Sequence, residues 1–205
     1  WRAPRSWRSY SRHPLARRFN DIPGVGIGYV SGANEFFHLR PSDAERLDIP
    51  AKLLHPTVRN GRALPSKSLT RSTIAKWHAA DEPIMLLRLP KVRASELPAA
   101  VRHYLDSGPG YEARQAYKCR VREPWYRVPY VRKPDLFLTY MSHISPPLVV
   151  NEAGATHSNT IHGVFLSDPL LADALAAAFL NSATLLSAEV EGRSYGGGVL
   201  KTEPG

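Results

Sequence analysis

Cysteine is almost absent: Cys119 is the single one in 205 residues, which excludes an internal disulfide and every zinc pattern built on paired cysteines. A lone thiol suits a reducing compartment, so a cytoplasmic setting is expected. Long apolar runs are absent too. The most apolar stretch, 170–186, is broken by Asp173, Asn181, Ser182 and Thr184, well short of the roughly 18 uninterrupted residues a spanning helix needs. No membrane partner is expected. Acid is missing from residues 1–20, which hold six arginines but no apolar core or small-residue cleavage pattern, so they read as a basic arm or linker rather than a secretory signal. The folded unit is expected over 21–205.

Acid stays scarce well beyond that arm. Residues 1–133 hold 25 Lys/Arg against 11 Asp/Glu, whereas residues 134–205 hold 2 against 7, and the chain carries a net charge of +9. Such segregation suits one basic surface facing a polyanion. Hydrophobic residues at 43% and charged residues at 22% are ordinary globular usage, and 18 prolines favour turns over long helices.

Self-sufficient chemistry is also lacking. The eight histidines show no metal pattern; His157 and His162 are five apart without an acidic ligand at helical spacing. No G-x-S-x-G elbow occurs. No catalytic, metal-binding or cofactor-binding residue is assigned. GVGIG, Gly24–Gly28, is spelled like a nucleotide loop, but Tyr29-Val30 and a turn follow instead of a helix, so a glycine-rich hairpin strand is expected. SPPL, Ser145–Leu148, resembles the amino-methyltransferase signature, yet Leu148 cannot offer the aromatic face that stacks on an extruded base. A proline-stiffened start to the LVVN strand is expected there.

The elements predicted are mixed α+β, strand-rich, with several short strands and a long C-terminal helix. VGIGYV, SGAN and EFFHL read as strand, turn, strand. PSDAERL reads as a short helix, TVRNGRALPSKSL as a loop with an Asn60-Gly61 turn, and PIMLLRLP as a buried strand. SELPAAVRHYLDSG should be a helix capped by Ser95 and stopped by Gly108, burying Leu97, Val101, Tyr104 and Leu105. DLFLTYM, PPLVVN and TIHGVFL read as strands. SDPLLADALAAAFLNSATLLSAEVEG reads as one helix with Asp168 as its cap, Pro169 in its first turn and Gly192 as its terminator.

YKCRVREPWYRVPY, Tyr117–Tyr130, with Arg132 just beyond it, holds five cations and four aromatic rings against the single acid Glu123. Lys118, Arg120, Arg122, Arg127 and Arg132 can each meet a phosphate, and arginine can also take a guanine edge. Tyr117, Trp125, Tyr126 and Tyr130 supply flat faces among them, the alternation a nucleic-acid-facing ribbon needs. For Trp125, core packing and contact stand equal. Ser31 and Asn34 read either as turn chemistry or as donors to DNA. Asn159 and Thr160 are presented at a strand start, while His162, flanked by Ile161 and Val164, reads as internal. Arg193, Tyr195 and Lys201 flank the Gly196–Gly198 run, which suits close approach to DNA backbone or to another domain.

Taken in order, VSGANEFFHL, YKCRVREPWYRVP, PDLFLTYMS, LVVNEAGATHSNTIHGVFL and AAAFLNSATLLSAEVEGRSYGGGVLKTEP resemble the C-terminal target-recognition region of bacterial N6-adenine DNA methyltransferases of restriction-modification type, the TaqI-like and Eco57I-like enzymes. The resemblance implies a DNA target-recognition domain, not catalytic alone, in a parent enzyme that uses S-adenosylmethionine through an N-terminal catalytic domain. Its partners would be double-stranded DNA and that domain. The DNA-binding residues expected are Ser31, Asn34, Lys118, Arg120, Arg122, Tyr126, Arg127, Asn159, Thr160, Arg193, Tyr195 and Lys201. The alternative is a module like the specificity subunit of a multi-subunit restriction-modification system.

Overall fold

Short runs of branched and aromatic residues build the centre of the molecule, because both faces of the sheet they form are covered. A computed structural model describes residues 24–139, 141–142, 147–194 and 200–201. The expected arm at 1–20, Ser145-Pro146, Tyr195 and the Gly196–Gly198 run lie outside the described residues. In chain order the elements are β1 (Val25–Ile27), α1 (Asn34–Phe37), β2 (His38–Leu39), α2 (Pro41–Arg46), β3 (Leu54–Val58), α3 (Arg71–Ala79), β4 (Met85–Leu87), α4 (Ala99–Leu105), α5 (Gly108–Gln115) and α6 (Tyr117–Arg120). They continue with β5 (Leu136–Thr139), β6 (Met141–Ser142), β7 (Leu148–Val150), β8 (Thr156–His157), β9 (Ile161–Val164), α7 (Ala172–Phe179), α8 (Ser182–Glu191), β10 (Arg193–Ser194) and β11 (Leu200–Lys201). The fold is mixed α+β.

The central sheet runs β1-β9-β5-β7 and is antiparallel throughout. Its period-two alternation sends Phe137, Val149 and Ile161 toward a core shared with Val58, Leu69 and the Ile74 and Trp77 of α3. Leu136, Leu138, Leu148, Val150 and Val164 point the other way, onto Ala172, Leu175, Ala176 and Phe179. A second sheet, β2-β4-β3-β8, is antiparallel except for the parallel β3–β8 pair. The helical layer packs there: Phe36 stacks on Tyr104 at 4.5 Å and 2°, and the Tyr104 hydroxyl donates to the Phe36 carbonyl at 2.9 Å.

The strands read from DLFLTYM, PPLVVN, TIHGVFL and PIMLLRLP are present as β5, β7, β9 and β4. Three expectations are corrected. VGIGYV and EFFHL do not form a hairpin: β1 pairs with β9, and Asn34–Phe37 winds into a helical turn because the Ala33 carbonyl accepts from the Phe36 and Phe37 amides. That turn buries both phenylalanines in one core, whereas a strand would send them to opposite faces. The second correction concerns α4, which starts after Pro98 and ends at Leu105, with Ser95 in a separate upstream turn; Gly108 opens α5, since the Ser107 hydroxyl caps the Gly110 amide. Leu97, Val101, Tyr104 and Leu105 are buried as expected.

Finally, the long C-terminal helix is two helices. Asp168 accepts from the Leu170 amide as foreseen, but Asn181 starts a second helix by accepting from Thr184. The two segments, Pro169–Phe179 and Ser182–Val190, meet at 79°. Among the described residues no single helix is long and apolar enough to cross a membrane.

The sheets meet at Gly28-Tyr29. The Gly28 amide donates to the Ile161 carbonyl at 3.3 Å, and the Tyr29 amide to the His157 carbonyl at 3.2 Å, while the Tyr29 carbonyl accepts from Asn159 at 2.9 Å. A Cβ on Gly28 would lie 2.1 Å from the His157 carbonyl oxygen and 2.4 Å from that of Ser158, both backbone atoms with little room to retreat. The glycine is needed for this approach. Gly28→Ala should therefore lower stability by about 3 kcal/mol or prevent folding, read as the urea midpoint. Gly26→Ala, whose new methyl would meet nothing within 4 Å, should change it far less.

Candidate nucleic-acid interface

Four stretches distant in sequence converge beside that seam. The Val30–Asn34 loop lies against α6, where Gly32 has φ +89 and the Lys118 Cβ stands 2.8 Å from where a Gly32 side chain would begin. Arg122 holds the loop from beneath: Nη1 donates to the Ser31 carbonyl and Nη2 to the Val30 carbonyl, each at 2.6 Å. The Cys119 thiol lies 3.8 Å from the same Ser31 oxygen, and burial raises its pKa. Ser31 itself is buried, and its hydroxyl donates to the Asn34 Oδ1.

The basic aromatic segment thus divides into two populations. Arg122, Trp125 and Tyr126 face inward. Trp125 packs 5.7 Å from the Phe36 ring, and the buried Tyr126 donates to the Val92 carbonyl at 2.5 Å. Tyr117, Lys118, Arg120, Arg127 and Tyr130 are exposed, with Lys118 Nζ 5.6 Å from the Tyr117 ring centre. Arg132 lies over Phe165 at 3.6 Å. Of the residues expected to meet DNA, Ser31 and Tyr126 are buried and the Arg122 guanidinium is engaged by two carbonyls, so these three side chains hold the fold. The segment is a short helix followed by turns, not a ribbon.

Asn34, Asn159 and Thr160 come together, lining one cleft of about 440 Å³ with Arg59, Asn60, Trp77 and Glu82. Arg59 follows β3 and is fixed at both ends. The Ser158 and Thr160 hydroxyls both donate to its carbonyl, at 2.6 and 2.8 Å, and its Nη2 donates to Glu35 at 3.1 Å. Asn60 shapes the turn by accepting from the Ala63 amide at 3.1 Å. Sequence chemistry marks the Asn60-Gly61 pair as a turn and gives Arg59 no role. An arginine beside a glycine-containing turn was the available signal.

Under the cleft runs a buried polar chain. His38 Nδ1 is 3.0 Å from the Asn34 carbonyl, which can only accept, so Nδ1 carries the proton. In the neutral ring Nε2 then accepts from the Tyr29 hydroxyl at 2.7 Å, and the Tyr29 oxygen accepts from Thr57 at 2.6 Å. Burial, helped by the nearby Arg59 charge, pushes the His38 pKa down to about 4, and burial raises that of Tyr29. His157, edge-on to Phe137 at 5.6 Å, is also pushed down to about 4, by burial first and His162 second. His162 is buried, as the sequence suggested.

Elsewhere, Arg193 of β10 pairs in register with Lys201 of β11, in a three-stranded sheet completed by β6. The GVGIG segment does not fit S-adenosylmethionine: it is a strand paired with β9, its last glycine abuts two backbone carbonyls, and the following helix is four residues long. Among the described residues no group of three or more His, Cys, Asp or Glu is arranged to hold a metal ion.

Two expectations follow from this geometry. Removing the Arg122 guanidinium leaves two carbonyls without their charged donor, so Arg122→Ala should cost about 2 kcal/mol and lower the melting temperature, whereas Arg120→Ala should leave it nearly unchanged. Acid should also destabilise the protein. His38 and His157 have folded pKa values near 4, below the ordinary imidazole value of about 6.5, so between those limits the unfolded chain binds more protons. Their contribution is complete above about pH 6.5 and is lost as pH falls toward 4, at up to roughly 1.4 kcal/mol per pH unit for each ring. Urea midpoints at pH 7.5, 6 and 5 measure it; a flat profile would contradict the assignment.

The family described as "Type II methyltransferase M.Eco57I, C-terminal domain" matches residues 5–205. The Type II methyltransferase M.XamI of Xanthomonas campestris pv. amaranthicola is 32% identical over 95 residues, covering 45% of this chain and 17% of the relative. The matched part is thus a minor share of that enzyme's length. With nearly its whole length matched, the chain belongs to the family of C-terminal domains of Type II methyltransferases typified by M.Eco57I.

Proposed function

We propose that the chain is the DNA target-recognition domain of an S-adenosylmethionine-dependent adenine-N6 methyltransferase of restriction-modification type, working in the cytoplasm with an N-terminal catalytic domain of the same parent protein. In this reading the domain holds the duplex and identifies the target, and methyl transfer belongs to the partner domain. The observation that carries it is a convergence: Asn34, Asn159 and Thr160, chosen for their chemistry from segments more than a hundred residues apart, line one cleft, and Lys118 adjoins the loop that bears Asn34. Family membership supplies the setting.

Electrostatics support the same reading. Among the described residues the ion pairs are Arg46–Asp43 and Arg59–Glu35, so Lys118, Arg120 and Arg127 stand exposed without a carboxylate partner. The exposed rings of Tyr111, Tyr117 and Tyr130 lie on the same α5–α6 segment and the stretch after it. Cations interleaved with rings fit phosphates and sugars. Lys118, Arg120 and Arg127 are assigned to phosphate contacts, and Arg193, Tyr195 and Lys201 remain proposed contacts near the C-terminus.

The test is fluorescence anisotropy with a labelled mixed-sequence duplex over a salt series. The chain should bind with a dissociation constant of about 10⁻⁴ to 10⁻⁶ M for non-cognate DNA, and log K should fall linearly with log salt. Lys118→Ala and Arg120→Ala should each reduce the slope by about 1. Incubation with S-adenosylmethionine and duplex should give no methylated adenine. Binding indifferent to salt, or methyl transfer by the chain alone, would overturn the proposal.

A further inference from the structure

We infer that Arg59 is a specificity-determining residue that reads a guanine edge, with Asn159 beside it contacting the neighbouring base pair. This rests on the reading of the chain as a DNA-binding domain and goes beyond it by separating base recognition from phosphate binding.

The first argument is charge. A phosphate offers only acceptors and a negative charge, so a phosphate site gathers cations. The cleft does the reverse: Arg59 is its cation, Glu82 lines it, Glu35 is paired to the guanidinium, and the histidine in its wall, His38, is neutral near pH 7. Two carboxylates against one guanidinium repel an oxyanion. A base edge alternates donors and acceptors, which matches a guanidinium, a carboxylate and the amides of Asn34, Asn60 and Asn159.

Placement is the second argument. The Arg59 side chain is 27% exposed, whereas the Glu35 it engages is 92% exposed and Lys118, Arg120 and Arg127 stand in the open. Only one of its nitrogens is used by Glu35, and an exposed pair of this kind holds weakly. A forked donor remains for the O6 and N7 acceptors of guanine, the commonest specific arginine contact.

Pre-organisation is the third. Two hydroxyls fix the Arg59 carbonyl and the cap at Asn60 fixes the next residue, so little freedom is left to lose on binding. The Asn159 backbone N–H donates to the Tyr29 carbonyl at 2.9 Å, which fixes the residue where it lines the same cleft as Arg59.

The experiment is enrichment of a randomised duplex pool by the full 205-residue chain, with sequencing of the bound fraction. Anisotropy with poly(dA)·poly(dT), which contains no guanine, runs in parallel. The wild type should enrich a fixed guanine, and Arg59→Lys, which keeps the charge and removes the fork, should cut that preference about tenfold. Its affinity for poly(dA)·poly(dT) should change less than about twofold. Asn159→Ala, a change at an exposed position that guards against misfolding of the first variant, should relax selection at the adjacent pair with the guanine retained. Lys118→Ala should weaken all duplexes alike. The inference fails if Arg59→Lys enriches the same sequence as the wild type, if it weakens every duplex equally with a smaller salt slope, or if the wild type binds DNA without enriching guanine. Absence of binding to any duplex would remove the DNA-binding reading as well.

Discussion

The contact of Gly28 with the backbone of β8 is the constraint on which the rest of the architecture hangs. Two carbonyls approach where any side chain would begin, and only through that approach does Tyr29 bridge to Ser158 and bring the two four-stranded sheets together. Tyr29 then enters the interior at the point where His38 and Thr57 can satisfy its hydroxyl. A buried hydroxyl without partners is costly, so the chain Asn34–His38–Tyr29–Thr57 fixes the relative position of α1 and β3 as firmly as apolar packing does. Asn34 is the first residue of α1 and Arg59 follows the last of β3, so the same chain holds both where they line the cleft.

Positive charge serves two distinct purposes in this molecule. Arg122 is turned inward and works as a tie, its two nitrogens gathering adjacent carbonyls of one loop, and burial lowers its pKa. Lys118 and Arg120, one turn earlier, remain in solvent. The inward arginine shapes the loop and the outward cations flank it, so composition alone overstates how many charges are available to a polyanion.

Much of the fold was legible because its signals are local. β4, β5, β7 and β9 follow from apolar runs bounded by turn residues, and the apolar face of α4 from its spacing. What could not be read depended on distant partners. Phe36 and Phe37 alternate plausibly as strand residues, and only Tyr104 and Trp125, far along the chain, show why a helical turn wins. Asn181 looked like a tolerated polar residue inside one helix, whereas its side chain starts a second. For the candidate site, side-chain chemistry singles out Asn34, Asn159 and Thr160 separately, and only the fold brings them to one cleft; that chemistry cannot tell Arg120 from Arg122 or mark Arg59. Direction, inward or outward, is a tertiary property.

The clamp at position 59 acts on the main chain: Ser158 and Thr160 grip a carbonyl, an atom every amino acid possesses. The scaffold is therefore indifferent to which side chain projects there. Exchange of that one residue leaves the main-chain clamp intact, so the side chain facing the cleft can vary without loss of the rigid cradle.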